Sequence, residues 1–68
     1  MKDNIVKLGF KDQGDRFLKG NYFAYFDDNS LIIGEWINTY SKVIKWESSL
    51  DTSMPTKTII KTIKAMTE

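Results

Sequence analysis

The side chains of this chain that could carry acid–base or metal chemistry are carboxylates. Cysteine and histidine are both absent from the 68 residues, which removes thiol and imidazole catalysis together with the usual zinc ligands. The candidates are Asp27, Asp28, Glu35 and Glu47. Their spacing matches no hydrolase pair, calcium loop or nucleotide-binding glycine motif. We therefore expect a protein that is not an enzyme, with no catalytic residue, metal, cofactor or evident small-molecule site.

Large aromatic rings are the second group of residues with a chemical use. The segment from Gly20 to Ser49 holds every ring of the chain except Phe10 and Phe17. Tyrosine and tryptophan provide a large contact area, and buried aromatic anchors are typical of protein interfaces. A domain with one thin core does not need so many rings inside it, so this concentration indicates a contact surface.

Length and charge limit the possible classes of protein. A chain of 68 residues makes a single small domain, 1–68, and without disulfides or metal the remaining common means of stabilisation is self-association or a partner. Ten basic and nine acidic residues give a formal charge of +1, which provides little attraction to phosphate or membrane surfaces. The N-terminal residues form no signal peptide or membrane span. We therefore expect a cytoplasmic protein that does not bind or span a membrane.

Residues 1–21 predict a strand followed by a loop. The segment DNIVKLGF, residues 3–10, has the composition of a strand that breaks near Gly9. The next segment, KDQGDRFLKGN, is rich in glycine and charge and predicts a surface loop. Its single apolar pair, Phe17 and Leu18, is expected to hold this loop against the body of the domain.

Residues 22–48 predict a β-meander. The apolar runs YFAYF and LIIGEWI flank the turn cluster DDNS, and a second cluster, NTYS, leads into KVIKWE. The alternative is one helix, because apolar residues also recur at three- and four-residue spacing at Ile33, Trp36, Ile37, Tyr40, Val43 and Ile44. Weak helix formers such as Gly34 and Asn38 favour the sheet.

Residues 54–67 predict an amphipathic helix. Apolar residues fall on one side and lysines on another, and the two groups are Ile59, Ile60, Ile63 and Met66, and Lys57, Lys61 and Lys64. Ser53 or Thr56 is expected to cap this helix, with Pro55 in its first turn. The whole chain thus predicts an α+β fold, in which a three- to four-stranded antiparallel meander sheet packs on one C-terminal α-helix.

Strand parity assigns the side chains to two faces, if DDNS and NTYS are four-residue loops. The core face then carries Tyr22, Ala24, Phe26, Leu31, Ile33, Ile37, Ile44 and Trp46. The second face carries Phe23, Tyr25, Ile32, Gly34, Trp36, Val43, Lys45 and Glu47. One helix cannot cover both sides of a sheet, so the second face is either open or covered by the N-terminal segment. An odd loop or a bulge would exchange the faces of a strand.

The leading functional hypothesis is a small non-enzymatic binding protein. It docks a protein partner or self-associates through the aromatic second face, which is expected to leave Trp36 exposed at its centre. The predicted partner-binding residues are Phe23, Tyr25, Ile32, Trp36 and Lys45. Small size and the absence of histidine and cysteine also suit a regulator or inhibitor of the kind that phages and mobile elements encode.

The alternative is a nucleic-acid-binding module that uses the same rings as a stacking platform. Three antiparallel strands followed by a helix resemble the arm-binding DNA domains of some integrases, an analogy of fold alone. Those domains place basic residues on the exposed sheet, whereas this face offers only Lys45 beside Glu47. A third possibility is a subunit of an obligate oligomer, whose rings are buried between subunits.

Overall fold

The computed structural model describes all 68 residues as an open antiparallel sheet with one short and one longer helix. The elements are α1 (Lys2–Lys7), β1 (Lys11–Asp12), β2 (Phe17–Lys19), β3 (Tyr22–Asp27), β4 (Ser30–Trp36), β5 (Ile44–Asp51) and α2 (Thr56–Thr67). The strand order in the sheet follows the chain from β1 to β5. The predicted α+β fold is therefore confirmed, with five strands in place of three to four. β4 and β5 also exclude a single helix through this part of the chain.

The two additional strands come from the segment that was predicted as a surface loop. The Asp12 Oδ1 accepts the Gly14 N–H at 2.8 Å, and the Gln13 N–H donates to the Arg16 carbonyl at 2.8 Å. These bonds close a tight hairpin between β1 and β2, and Gly14 takes the left-handed conformation (φ +93°) that such a turn requires. Phe17 is buried in the core, as expected for a residue that holds this segment in place.

The N-terminal segment that was predicted as a strand is instead the helix α1. Met1, Ile5 and Leu8 recur at four- and three-residue spacing, and all three pack in or against the core. An aspartate in the first turn and a lysine in the last turn complement the helix dipole. The strand prediction is wrong because a helix of six residues carries too short an apolar stripe to outweigh a strand-like composition.

The core lies between one face of the sheet and the two helices. Its buried residues come from both helices, from β2 to β5 and from Phe10, and they are Ile5, Phe10, Phe17, Ala24, Leu31, Ile33, Leu50, Ile59 and Ile63. Ala24 pairs with Ile33 across β3 and β4, as predicted from the DDNS turn. Ile59 and Ile63 are fully buried, which confirms the predicted apolar side of the C-terminal helix.

The helix α2 begins without a side-chain cap, because Pro55 holds the N-cap position and neither Ser53 nor Thr56 acts as a cap. The preceding turn is held by the Asp51 Oδ1, which accepts the Ser53 backbone N–H at 2.9 Å. This hydrogen bond lowers the pKa of the Asp51 carboxyl. Its stabilising effect is present above the ordinary aspartate pKa and is lost as the pH falls through the lowered value. Neither helix has the length and apolar character to cross a bilayer.

The pairing of β4 with β5 differs from the predicted register by two residues. Glu35 lies opposite Trp46, and Ile33 lies opposite Ser48, whereas the sequence predicts Ile44 and Trp46 at these positions. A shift of two residues leaves each side chain of this part of β5 on its predicted face. Trp46 therefore lies on the face that the helices cover, where it is half-buried.

Two local irregularities produce this register. The Asn38 Oδ1 accepts the backbone N–H groups of Tyr40 and Ser41 at 3.0 and 2.8 Å, and the Lys42 N–H donates to the Asn38 carbonyl at 3.3 Å. The loop is thus three residues long, one fewer than predicted. A bulge follows, at which Lys45 is the extra residue. An odd loop and a bulge each reverse strand parity, so their effects cancel beyond the bulge.

Between the loop and the bulge the predicted faces are wrong. Ile44 lies opposite Trp36 on the face away from the helices. Ile37 and Ile44, both predicted as core residues, are 59% and 51% exposed. The hairpin projects here beyond β3, whose hydrogen bonding to β4 ends where the Trp36 N–H meets the Asn21 carbonyl. No core lies beneath the projecting end. Phe26, also predicted as core, is exposed at the opposite end of the sheet.

The placement of these isoleucines makes a matched prediction about stability. Ile63→Val removes one methylene from a fully buried side chain and should lower the free energy of unfolding by about 0.5–1.5 kcal/mol. Ile37→Val makes the same chemical change at the exposed hairpin end and should change stability by less than about 0.5 kcal/mol. Urea denaturation followed by circular dichroism measures both, and equal losses would contradict the exposed position of Ile37.

Candidate functional site

The three largest predicted site residues lie together on the sheet face that the helices do not cover. The ring centroids of Phe23 and Trp36 are 4.9 Å apart with an interplanar angle of 23°, and those of Phe23 and Tyr25 are 6.2 Å apart at 15°. We call Phe23, Tyr25 and Trp36 the aromatic layer. Ile32, the fourth predicted residue, is the cross-strand partner of Tyr25, so these four side chains belong to one surface.

The centre of the aromatic layer is buried, contrary to the prediction of an exposed Trp36. Phe23 and Trp36 are only 4% and 7% exposed. The Phe23 ring lies over Gly34, where an added Cβ would stand 2.5 Å from its Cζ atom. The Lys42 Nζ lies 5.6 Å from the centroid of the Trp36 ring. Trp36 is therefore a buried residue beneath the surface of this face. Tyr25 and Ile32 are the half-exposed members of the predicted site.

Most apolar residues of the N-terminal segment do not cover this face, although such coverage is the predicted alternative to an open surface. Ile5, Phe10 and Phe17 belong to the core on the helix side of the sheet. Leu18, opposite Phe23, lies on the aromatic side and is half-buried. Leu18 is thus the apolar residue of this segment that lies beside the aromatic layer.

An open pocket of about 310 Å³ lies against the aromatic layer. Its lining combines the three rings with Ile44 and with the charged side chains of Asp15, Arg16 and Glu47. The Arg16 Nε lies 3.6 Å from the Asp15 Oδ1, so these two charges offset each other in the wall. A pocket of this size falls at the lower end of the range for ligand sites and has room for a side chain of a docked partner.

Lys45 is the predicted site residue that the structure separates from the others. Its Nζ lies 3.9 Å from the Glu35 Oε1, and the same oxygen accepts the Trp46 Nε1–H at 2.8 Å. Glu35 lies on the helix side of the sheet, since it alternates with Trp36 along β4. The ammonium group of Lys45 therefore points away from the aromatic layer.

The residues that sequence reasoning missed are at the projecting end of the β4–β5 hairpin, residues 37–44, which we call the hairpin end. More than half of the surface of each of its large apolar side chains is exposed, and these are Ile37, Tyr40, Val43 and Ile44. Tyr40 is 97% exposed, and Ile44 connects the hairpin end to the pocket.

The candidate carboxylates do not converge on a reaction centre. Asp27 is the last residue of β3, beside the turn. Glu35 accepts a hydrogen bond from the Trp46 indole N–H, and Glu47 lines the pocket. No three carboxylates come together in a group that could hold a metal ion. The surface offers apolar contact and a few charges at its margin. Comparison with protein-family models, curated proteins and solved structures finds no match for this chain.

The packing of Phe23 over Gly34 makes a prediction with a definite sign. An alanine in an ordinary strand position is more stable than glycine by about 0.5–1 kcal/mol. At Gly34, however, the Cβ would stand 2.5 Å from Phe23 and 2.6 Å from the Trp46 carbonyl oxygen, so Gly34→Ala should destabilise the domain by about 1–3 kcal/mol. Chemical denaturation measures the change, with Ser49→Ala as an exposed control. A stabilising Gly34→Ala would contradict this packing.

Proposed function

We propose that this chain is a small non-enzymatic binding protein of the cytoplasm, which docks a protein partner through the hairpin end and the adjoining pocket. The observation that supports this most directly is the exposure of Ile37, Tyr40, Val43 and Ile44 on one projecting hairpin. Single apolar residues are common on protein surfaces, but four exposed apolar side chains on one short hairpin end are typical of an interaction site. Such a protein would act by occupying its partner, as a regulator or inhibitor of the phage type does.

The aromatic layer supports this surface by making it rigid. Ile44 lies directly across from Trp36, and Trp36 is held between its contacts with the Phe23 ring and with Lys42. A surface that is already ordered loses little conformational entropy when a partner binds. In this proposal Trp36 and Phe23 hold the contact surface in place, and Tyr25, Ile32 and the hairpin end touch the partner.

The apolar residues of the hairpin end lie on more than one side of it. Ile44 faces the aromatic layer, whereas Ile37 lies on the opposite side by strand alternation, and Tyr40 stands at the tip. A flat partner surface would cover only one of these sides. The shape therefore favours a partner with a concave apolar groove that receives the hairpin end from both sides.

The charges and ring geometry favour a protein partner over nucleic acid, which is the alternative hypothesis. A stacking platform needs open ring faces, but Phe23 and Trp36 stack on each other and are buried. In the pocket the charges of Asp15 and Arg16 offset each other, and the remaining carboxylate, that of Glu47, would repel phosphate groups. Lys45, the basic residue expected to aid nucleic-acid binding, is paired with Glu35 on the other side of the sheet.

The proposal predicts which substitutions abolish docking while the fold is kept. Tyr40→Ala and Ile37→Ser should each weaken partner binding by about 2 kcal/mol, roughly thirtyfold, because exposed anchors carry much of the binding energy. Val6→Ser, an exposed apolar residue of α1, serves as the matched control and should bind as the wild type does. Partners are recovered from nuclease-treated lysate, and the purified partner is then titrated by calorimetry against each variant.

Two results would contradict the proposal. If the hairpin-end variants and Val6→Ser bind the purified partner equally well, docking does not use the hairpin end. If nuclease treatment removes all binding, and binding to an oligonucleotide falls steeply with salt, the nucleic-acid alternative is correct.

A further inference from the structure

The longest strand of the sheet, β5, is also an edge strand. Seven of its eight residues pair with β4 on one side, Lys45 being the extra residue of the bulge, and no strand follows on the other side. The opposite edge is formed by β1, which has only two residues. An edge strand presents unpaired N–H and C=O groups that can pair with a further strand. β5 is therefore the part of this sheet most open to extension.

The hydrogen bonds identify the backbone groups that face outward. The Thr52 N–H donates to the Asn29 carbonyl at 2.9 Å, so these residues form a hydrogen-bonded pair across the continuous β4–β5 register. In an antiparallel ladder every second residue pair is bonded in this way. Ser48 accordingly bonds inward to β4, whereas Glu47 and Ser49 direct their N–H and C=O groups outward. Both of these residues are exposed.

We propose that two copies of this chain pair antiparallel through their β5 edges, in a register centred on Ser48. The regular part of the edge is limited to residues 46–50, because the bulge at Lys45 precedes it and the Asp51 carbonyl accepts the Met54 N–H in the following turn. Ser48 is the midpoint of this stretch. Two-fold pairing about it uses all of the regular edge, and the proposal does not depend on the hairpin end.

Charge separates this register from its two neighbours. In a two-fold antiparallel pair, outward residues must lie opposite outward residues. A register centred on Glu47 would place Glu47 opposite the partner's Glu47. A register centred on Ser49 would place Glu47 opposite the partner's Asp51. Like charges directly opposite each other destabilise a strand pair. The register centred on Ser48 instead places Glu47 opposite the partner's Ser49.

The same register matches apolar groups on the helix side of the sheet. Trp46 lies opposite the partner's Leu50, and the two-fold axis repeats this contact. The Trp46 indole is already held by its hydrogen bond to Glu35 at 2.8 Å, so its ring needs little ordering on association. Paired aromatic and aliphatic side chains of this kind stabilise neighbouring strands. A second copy of β5 is therefore complementary to β5 in charge, and it adds an aromatic–aliphatic pair at the rim of each core, where Leu50 is 8% exposed.

Opposite charges introduced at one position test the register. Sedimentation equilibrium of the full chain over a range of concentrations gives the dimer dissociation constant. Ser49→Lys places two lysines opposite two Glu47 carboxylates and should tighten the dimer roughly two- to thirtyfold, whereas Ser49→Glu should weaken it by a similar factor. Tightening by Ser49→Glu would show a register centred on Glu47, and weakening by both variants would show one centred on Ser49. Either result overturns the proposed register.

A backbone substitution tests the edge itself. Ser49→Pro removes an outward N–H but no bond to β4, so the domain should keep its circular dichroism spectrum and lose the dimer. Ser49→Ala keeps the N–H and should keep the dimer. A wild-type chain that is monomeric at millimolar concentration, or a dimer that survives in a folded Ser49→Pro variant, would overturn the proposal. Tyr40→Ala should leave the dimer intact, so failure of this proposal and failure of docking through the hairpin end are observed separately.

Discussion

The contact between the Phe23 ring and the bare backbone of Gly34 determines the form of the uncovered sheet face. Because residue 34 has no side chain, the ring lies down over β4 and stacks against Trp36. This face therefore buries its two largest central rings without a covering helix. Apolar exposure is displaced from the middle of the sheet to its margin, where the hairpin end projects and the pocket opens. The buried centre of this face is a consequence of this one close contact, whereas the exposed hairpin end results from its projection beyond β3.

The small size of the domain explains why its polar contacts are few and local. A single layer of core side chains joins the sheet to both helices. The part-buried Glu35 carboxylate accepts the Trp46 indole N–H and lies beside the Lys45 ammonium group. The chain has a near-neutral charge and neither histidine nor cysteine, so the charged side chains on its surface are mainly carboxylates and lysines. The apolar part of this surface is concentrated at the hairpin end, on which the proposed docking function rests.

The sequence allowed the meander, the pairing of β3 with β4 and the C-terminal helix to be predicted, because a clear turn cluster or a clear helical period defines each of them. It did not allow α1 to be predicted, since six residues carry too short a period to outweigh a strand-like composition. Parity assigned Trp36 to the correct face but contains no information on exposure, which depends on how Phe23 lies over Gly34. Ile44 was assigned to the wrong face because the Asn38 side chain shortens the loop, and the compensating bulge at Lys45 leaves no trace in an alternation pattern.

The short length of β1 has a consequence for how far such molecules can assemble. A fibril can grow only if every molecule has two sheet borders that can pair with further strands. One border pairs with the preceding molecule and the other with the next. Here one border has eight residues and the other has two, too few to hold an incoming strand. Once two long borders have met, only the short ones are left at the ends of the joined sheet. In the proposed dimer, association by this route would therefore stop at a pair and would not continue into an open-ended polymer.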